Sequence, residues 1–135
     1  MSIALSLLAS LAVSDGSGLE FPANLHGTWD ASADACQLEY SDYRIEIAKS
    51  KMIYWESSGT PEQVYSASAN ETWIDLIMAG EEQAWKSKLR LVLSDSDQIL
   101  FVEDIAIPEQ DYFKTVWFYH RCPSSDDTKG KNAKN

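Results

Sequence analysis

The side chains best suited to chemistry are few and scattered. His26 and His120 are the two histidines of the chain, and Cys36 and Cys122 its two cysteines. Nucleophilic catalysis requires a base held beside a nucleophile. His26 adjoins Gly27-Thr28-Trp29 and His120 adjoins Arg121, settings that read as packing or solvation. These four residues do not supply a zinc ligand set at a recognisable spacing, so no metal and no cofactor is expected. The sequence contains no Gly-x-Ser-x-Gly, no His-Glu-x-x-His and no phosphate-cradling glycine loop. The acidic pairs Glu81-Glu82 and Glu103-Asp104 fall at a turn and at a strand end, where they read as solvated charge. Glu56 differs. Alternation places it on an inner face beside Tyr54, where a carboxylate must be paired, hydrated or ligand-bound unless it reaches water at a rim. The expectation is a protein that is not an enzyme.

The elements that must position these residues are strands. Period-two alternation with frequent turn signals recurs along Leu25–Asp30, Tyr43–Ala48, Lys51–Glu56, Gln63–Ala69, Glu71–Ala79, Ala84–Leu93, Gln98–Glu103 and Tyr112–Arg121. Ala31–Cys36 reads as a short helix or turn. Ser57–Pro61 reads as a break, as does Pro108–Asp111. About eight short antiparallel strands and no long helix imply an all-β up-and-down barrel or sandwich.

The hairpins test that reading. With residues 80–83 as a loop, Met78 faces Trp85, Ile74 faces Leu89, Asp75 faces Lys88 and Trp73 faces Arg90. Ile74, Leu76, Met78, Trp85, Leu89 and Leu91 then share one face, which Leu100 and Val102 join from the next strand. A turn at Lys49-Ser50 puts Tyr43, Ile45, Ile47, Met52, Tyr54 and Glu56 inside, with Arg44 opposite Trp55 outside. Such cross-strand pairs are favourable. The final strand is apolar on both faces, so its inner side is not assigned. Exterior Trp55, Trp73 and Phe101 form either a sticky stripe or a set of rings packed on arginine.

Composition sets the compartment and excludes some partners. Acidic residues outnumber basic ones 21 to 11, a net charge of −10. That argues against nucleic acid and against an anionic membrane surface; a basic protein partner is compatible with it. Met1–Ser14 carries no charge and ends in Ala12-Val13-Ser14, the pattern of a cleavable signal peptide, although it lacks a basic start. The expected organisation is a leader over 1–14, one barrel domain over 22–123 and a disordered polar tail over 124–135, in a periplasmic or secreted protein. In that setting Cys36 and Cys122 read as one disulfide. Geometry raises a difficulty. Cys122 follows the last strand and belongs near the start of the first, whereas Cys36 lies beyond the first strand's far end unless 31–36 folds back. Asn70-Glu71-Thr72 is a glycosylation sequon, relevant only in a eukaryotic secretory pathway.

Gly27-Thr28-Trp29 at the head of this pattern resembles the first motif of the lipocalin/calycin group of barrels. The resemblance implies that an arginine near the end of the last strand packs on the motif tryptophan, and Arg121 is the matching residue. The Thr-Asp-Tyr motif of lipocalins is absent, and the barrel portion is shorter than theirs. A nearer likeness is to small exported bacterial proteins of unassigned function that share the Gly-x-Trp start and a cysteine after the last strand. Gly27, Trp29 and Arg121 are thus expected to be structural. The first functional expectation is a small hydrophobic or amphipathic ligand at the barrel mouth, lined by Tyr54, Glu56, Met78 and Trp85. The alternative is a protein-binding module, such as a periplasmic inhibitor of a basic hydrolase.

Overall fold

A computed structural model describes residues 19–105 and 116–124. The leader at 1–14, the Pro108–Asp111 break, the start of the final strand and nearly all of the tail lie outside the described residues. The chain forms a closed antiparallel barrel in which each strand pairs with its sequence neighbour and the last pairs with the first. Its strands are β1 (Gly27–Asp30), β2 (Ile45–Ile47), β3 (Met52–Ile53), β4 (Ser58–Ser66), β5 (Glu71–Gly80), β6 (Gln83–Leu93), β7 (Ile99–Asp104) and β8 (Val116–Arg121).

Alternation decides what lies inside. Trp29, Ile45, Ile47, Met52, Ile74, Leu76, Leu91, Leu100 and Val102 are at most 1% exposed, so the strands turn one continuous apolar face inward. Phe21 and Leu25, from the segment before β1, add to the same core. The β5–β6 register matches the hairpin pattern throughout: Met78 faces Trp85, Ile74 faces Leu89 and Trp73 faces Arg90. On β8, Trp117 pairs with Val102 and Tyr119 with Leu100, which places both on the inward face left unassigned by the sequence.

The Ser57–Pro61 break requires correction, because β4 begins at Ser58 and runs through Gly59 and Pro61. Gly59 serves as a packing position: a Cβ there would sit 2.6 Å from the Met78 sulfur and 3.2 Å from Leu76 Cδ1. Pro61 is tolerated because β3 pairs with β4 only at Ser58 and Gly59, so no β3 carbonyl needs the missing N–H. A bulge between Pro61 and Gln63 then resets the register. Glu56 also departs from expectation. β3 stops at Ile53, Tyr54 N–H bonds the Ser57 carbonyl, and Glu56 projects from the resulting turn into solvent.

The outer wall carries its own polar order. Arg90 Nε donates to Glu71 at 3.0 Å, and Trp73 Nε1 donates to the same carboxylate at 2.7 Å. The Arg90 guanidinium lies over Phe101, 5.6 Å from the ring centre, so this ring packs on arginine, whereas Trp55 stays exposed. The bonds from Arg90, and then from Trp73, hold the Glu71 carboxyl below its ordinary range. A carboxylate favoured in the folded state stabilises the fold above its unfolded pKa of about 4.3 and loses that contribution as pH falls through the folded value. The melting-temperature gap between wild type and Glu71→Gln is therefore expected at pH 7 and should narrow as the medium is acidified below the unfolded-state pKa. A gap that is constant with pH would remove Glu71 from the acid response.

Candidate functional site

One end of the barrel is sealed. Gly27 has φ +135°, a conformation open to glycine, and a Cβ there would meet the Arg121 Nη1 at 3.1 Å. The guanidinium therefore occupies the space a side chain would take and lies 4.3 Å from the Trp29 ring centre. It donates to the carbonyls of Asp97, His26 and Asn24 at 2.7, 2.8 and 2.7 Å. The Trp29 indole N–H donates to the Leu25 carbonyl at 3.0 Å. Each buried donor is thus matched, and the segment 21–26 is held across the base. His26 Nε2 lies 2.8 Å from the Phe21 carbonyl, so this histidine is engaged in holding the same segment.

Cys36 and Cys122 form a disulfide, with their Cα atoms 5.5 Å apart. The long connection after β1 folds back along the wall, which resolves the geometric difficulty. Asp30 is what it folds onto. This residue points away from the core yet is fully buried, accepting from Ala31 N–H at 2.7 Å, Ser41 Oγ at 2.8 Å and Arg44 Nε at 2.8 Å. Arg44 Nη2 in turn donates to the carbonyls of Ala35 and Leu38, each at 2.7 Å. An ion pair buried at its Asp30 end thus fixes the connection.

The opposite end holds the mouth. Tyr54 is half-buried with its hydroxyl on the Met52 sulfur at 3.6 Å, and Met78 is 5% exposed. Trp85 shares their inward face by register but is 44% exposed. Among the described residues β6 pairs with β7 only from Leu89 onward, so no described β7 residue stands opposite Trp85. Glu56 lies outside this face, and Tyr54, Met78 and Trp85 share it. Ser87 and Asp104 come near each other, at 3.4 Å. The Tyr43 and Tyr119 rings meet at a tilt with centroids 4.7 Å apart, and burial raises the hydroxyl pKa of Tyr43, Tyr54 and Tyr119 above the ordinary tyrosine value.

Around this end the exposed side chains are aromatic and acidic. Trp55 and Glu56 lie in the β3–β4 turn, and Tyr40 meets the Trp55 ring edge-to-face at 6.3 Å. Gly80 packs so closely on this turn that a Cβ would sit 2.7 Å from the Glu56 carbonyl, which brings the Glu81-Glu82 tip alongside. Both tip glutamates have positive φ, 48° and 65°. A two-residue hairpin of this kind favours Asn-Gly, and a non-glycine residue there costs about 1–2 kcal/mol. Sequence reasoning placed these acids at the turn but missed Tyr40, whose position depends on the folded-back connection. No known protein family, curated protein or solved structure matches this chain.

Proposed function

We propose that the chain is an exported, lipocalin-like small barrel that works by binding, and that its partner is a basic protein docked on the acidic, aromatic rim. The observation that carries this reading is a division of labour. Strand side chains pack the interior and Arg121 seals its base, whereas Tyr40, Trp55, Glu56, Glu81 and Glu82 gather exposed at the other end. Aromatic anchors ringed by charge suit a protein surface. The left-handed Glu81-Glu82 tip supports it further, since stability is forgone there to present two carboxylates. The signal-like leader and the disulfide support export. A small amphipathic ligand at the mouth is the second reading, favoured by the inward-facing Tyr54, Met78 and Trp85.

Native mass spectrometry of the protein purified from its source tests both. A basic protein that co-purifies at low salt and dissociates at high salt supports the first reading. A retained small molecule supports the second and overturns the first. A chain that emerges alone counts against both.

A further inference from the structure

The outer face of β2 and β3 carries a groove of about 220 Å³ between the folded-back connection and the β3–β4 turn. Tyr40 and Trp55 form its aromatic walls, 69% and 55% exposed, and Ile53 its apolar floor. Glu39 and Glu46 border it, both exposed, and among the described residues neither has an ion-pair partner. Arg44 borders it too, but its charge is matched by Asp30 at 2.8 Å and its Nη2 is taken by two backbone carbonyls. The groove therefore combines aromatic surfaces with two uncompensated negative charges.

We propose that this groove seats an arginine side chain of the basic partner, a site that rests on the protein-binding reading above. The chemistry selects the occupant. A cation over an aromatic ring is attracted by the ring quadrupole. A guanidinium adds planar stacking and a fork of donors that match carboxylates, which an ammonium lacks. An aliphatic side chain would desolvate Glu39 and Glu46 without compensation, and an anion would be repelled by them. The walls are also held in advance. Arg44 pins the carbonyls of Ala35 and Leu38, and the disulfide anchors Cys36, so the Tyr40 side is ordered before any partner arrives.

The probe is a hexa-arginine peptide titrated into the full chain at low salt, with affinity measured by calorimetry for every variant and the Trp55 indole followed by NMR wherever Trp55 is present. The Trp55 resonance should move on titration. Trp55→Ala and the double variant Glu39→Gln/Glu46→Gln should each weaken binding at least tenfold, and hexa-lysine should bind more weakly than hexa-arginine. Glu62→Gln on β4, an acid outside the groove, should change affinity less than twofold. All four positions are exposed, and an unchanged melting temperature verifies the fold. A stationary Trp55 resonance, or an equal loss with Glu62→Gln, overturns the site. The two readings fail separately. A co-purifying basic protein that binds the Trp55→Ala chain as well as wild type removes the groove and leaves the function. Groove-specific hexa-arginine binding without any co-purifying basic protein removes the function and leaves the groove.

Discussion

Trp29→Ala should lower the stability of the barrel by about 3–5 kcal/mol, the range for removing a fully buried large aromatic side chain. For a domain of this size that is a fall in melting temperature on the order of 20 °C. The residue is 0% exposed and lies between the interior and the Arg121 guanidinium. Truncation leaves a cavity, orphans the Leu25 carbonyl and uncovers a cation whose three carbonyl partners keep it in place. The surroundings cannot collapse into the space, because those bonds hold the base rigid. Trp29→Phe separates the contributions. It keeps most of the volume but loses the indole N–H and weakens the ring–cation contact, at a cost of roughly 1–2 kcal/mol. Urea unfolding of both variants, with Arg121→Ala completing a double-mutant cycle, measures the coupling. A loss below about 1.5 kcal/mol for Trp29→Ala would show that the base is not the closure it is argued to be.

The second large effect concerns the bond between Cys36 and Cys122, which are 86 residues apart. Loop-closure entropy gives about 4–5 kcal/mol for a loop of this length, acting on the unfolded chain. Cys36→Ser/Cys122→Ser should approach that figure in denaturant unfolding. The native connection should nevertheless stay docked, because the pair between Arg44 and the buried Asp30 holds it independently. Hydrogen exchange discriminates the two roles. Protection should fall throughout the barrel in proportion to global stability, and only the Cys36 turn should show added local opening. Complete loss of protection over 31–44 would mean that the disulfide, rather than the ion pair, builds the connection. A stability loss under about 1 kcal/mol would contradict the entropic account.

The barrel was legible where register is local. Glu71–Ala79 and Ala84–Leu93 are joined by a short turn, so pairing and inward face follow from alternation alone, and the observed register agrees residue by residue. The disulfide was legible from the cysteine count and the expectation of export. Ser57–Pro61 was misread because glycine and proline are treated as local signals, whereas here Gly59 answers to Met78 and Pro61 to a missing β3 neighbour. The mouth was half legible. Register puts Trp85 on the inward face, but no alternation reveals that described β7 pairing begins only at Leu89. The groove was not legible, because a connection of this length carries no register. Only the observed pairing of Thr28 with Glu46, extended along the ladder, sets Asp30 opposite Arg44.

Arg121 reaches Asn24 across 97 residues, and β1 takes β8 as one of its two neighbours. A polypeptide made from its N-terminus therefore cannot complete this ring before Arg121 has been made. Until the eighth strand arrives, Trp29 lacks its cover and β1 presents an unpaired edge. Folding of the closed barrel is deferred until β8 has been made. The same dependence leaves any chain cut short before Arg121 with an open edge, a form suited to aggregation or proteolysis rather than to function.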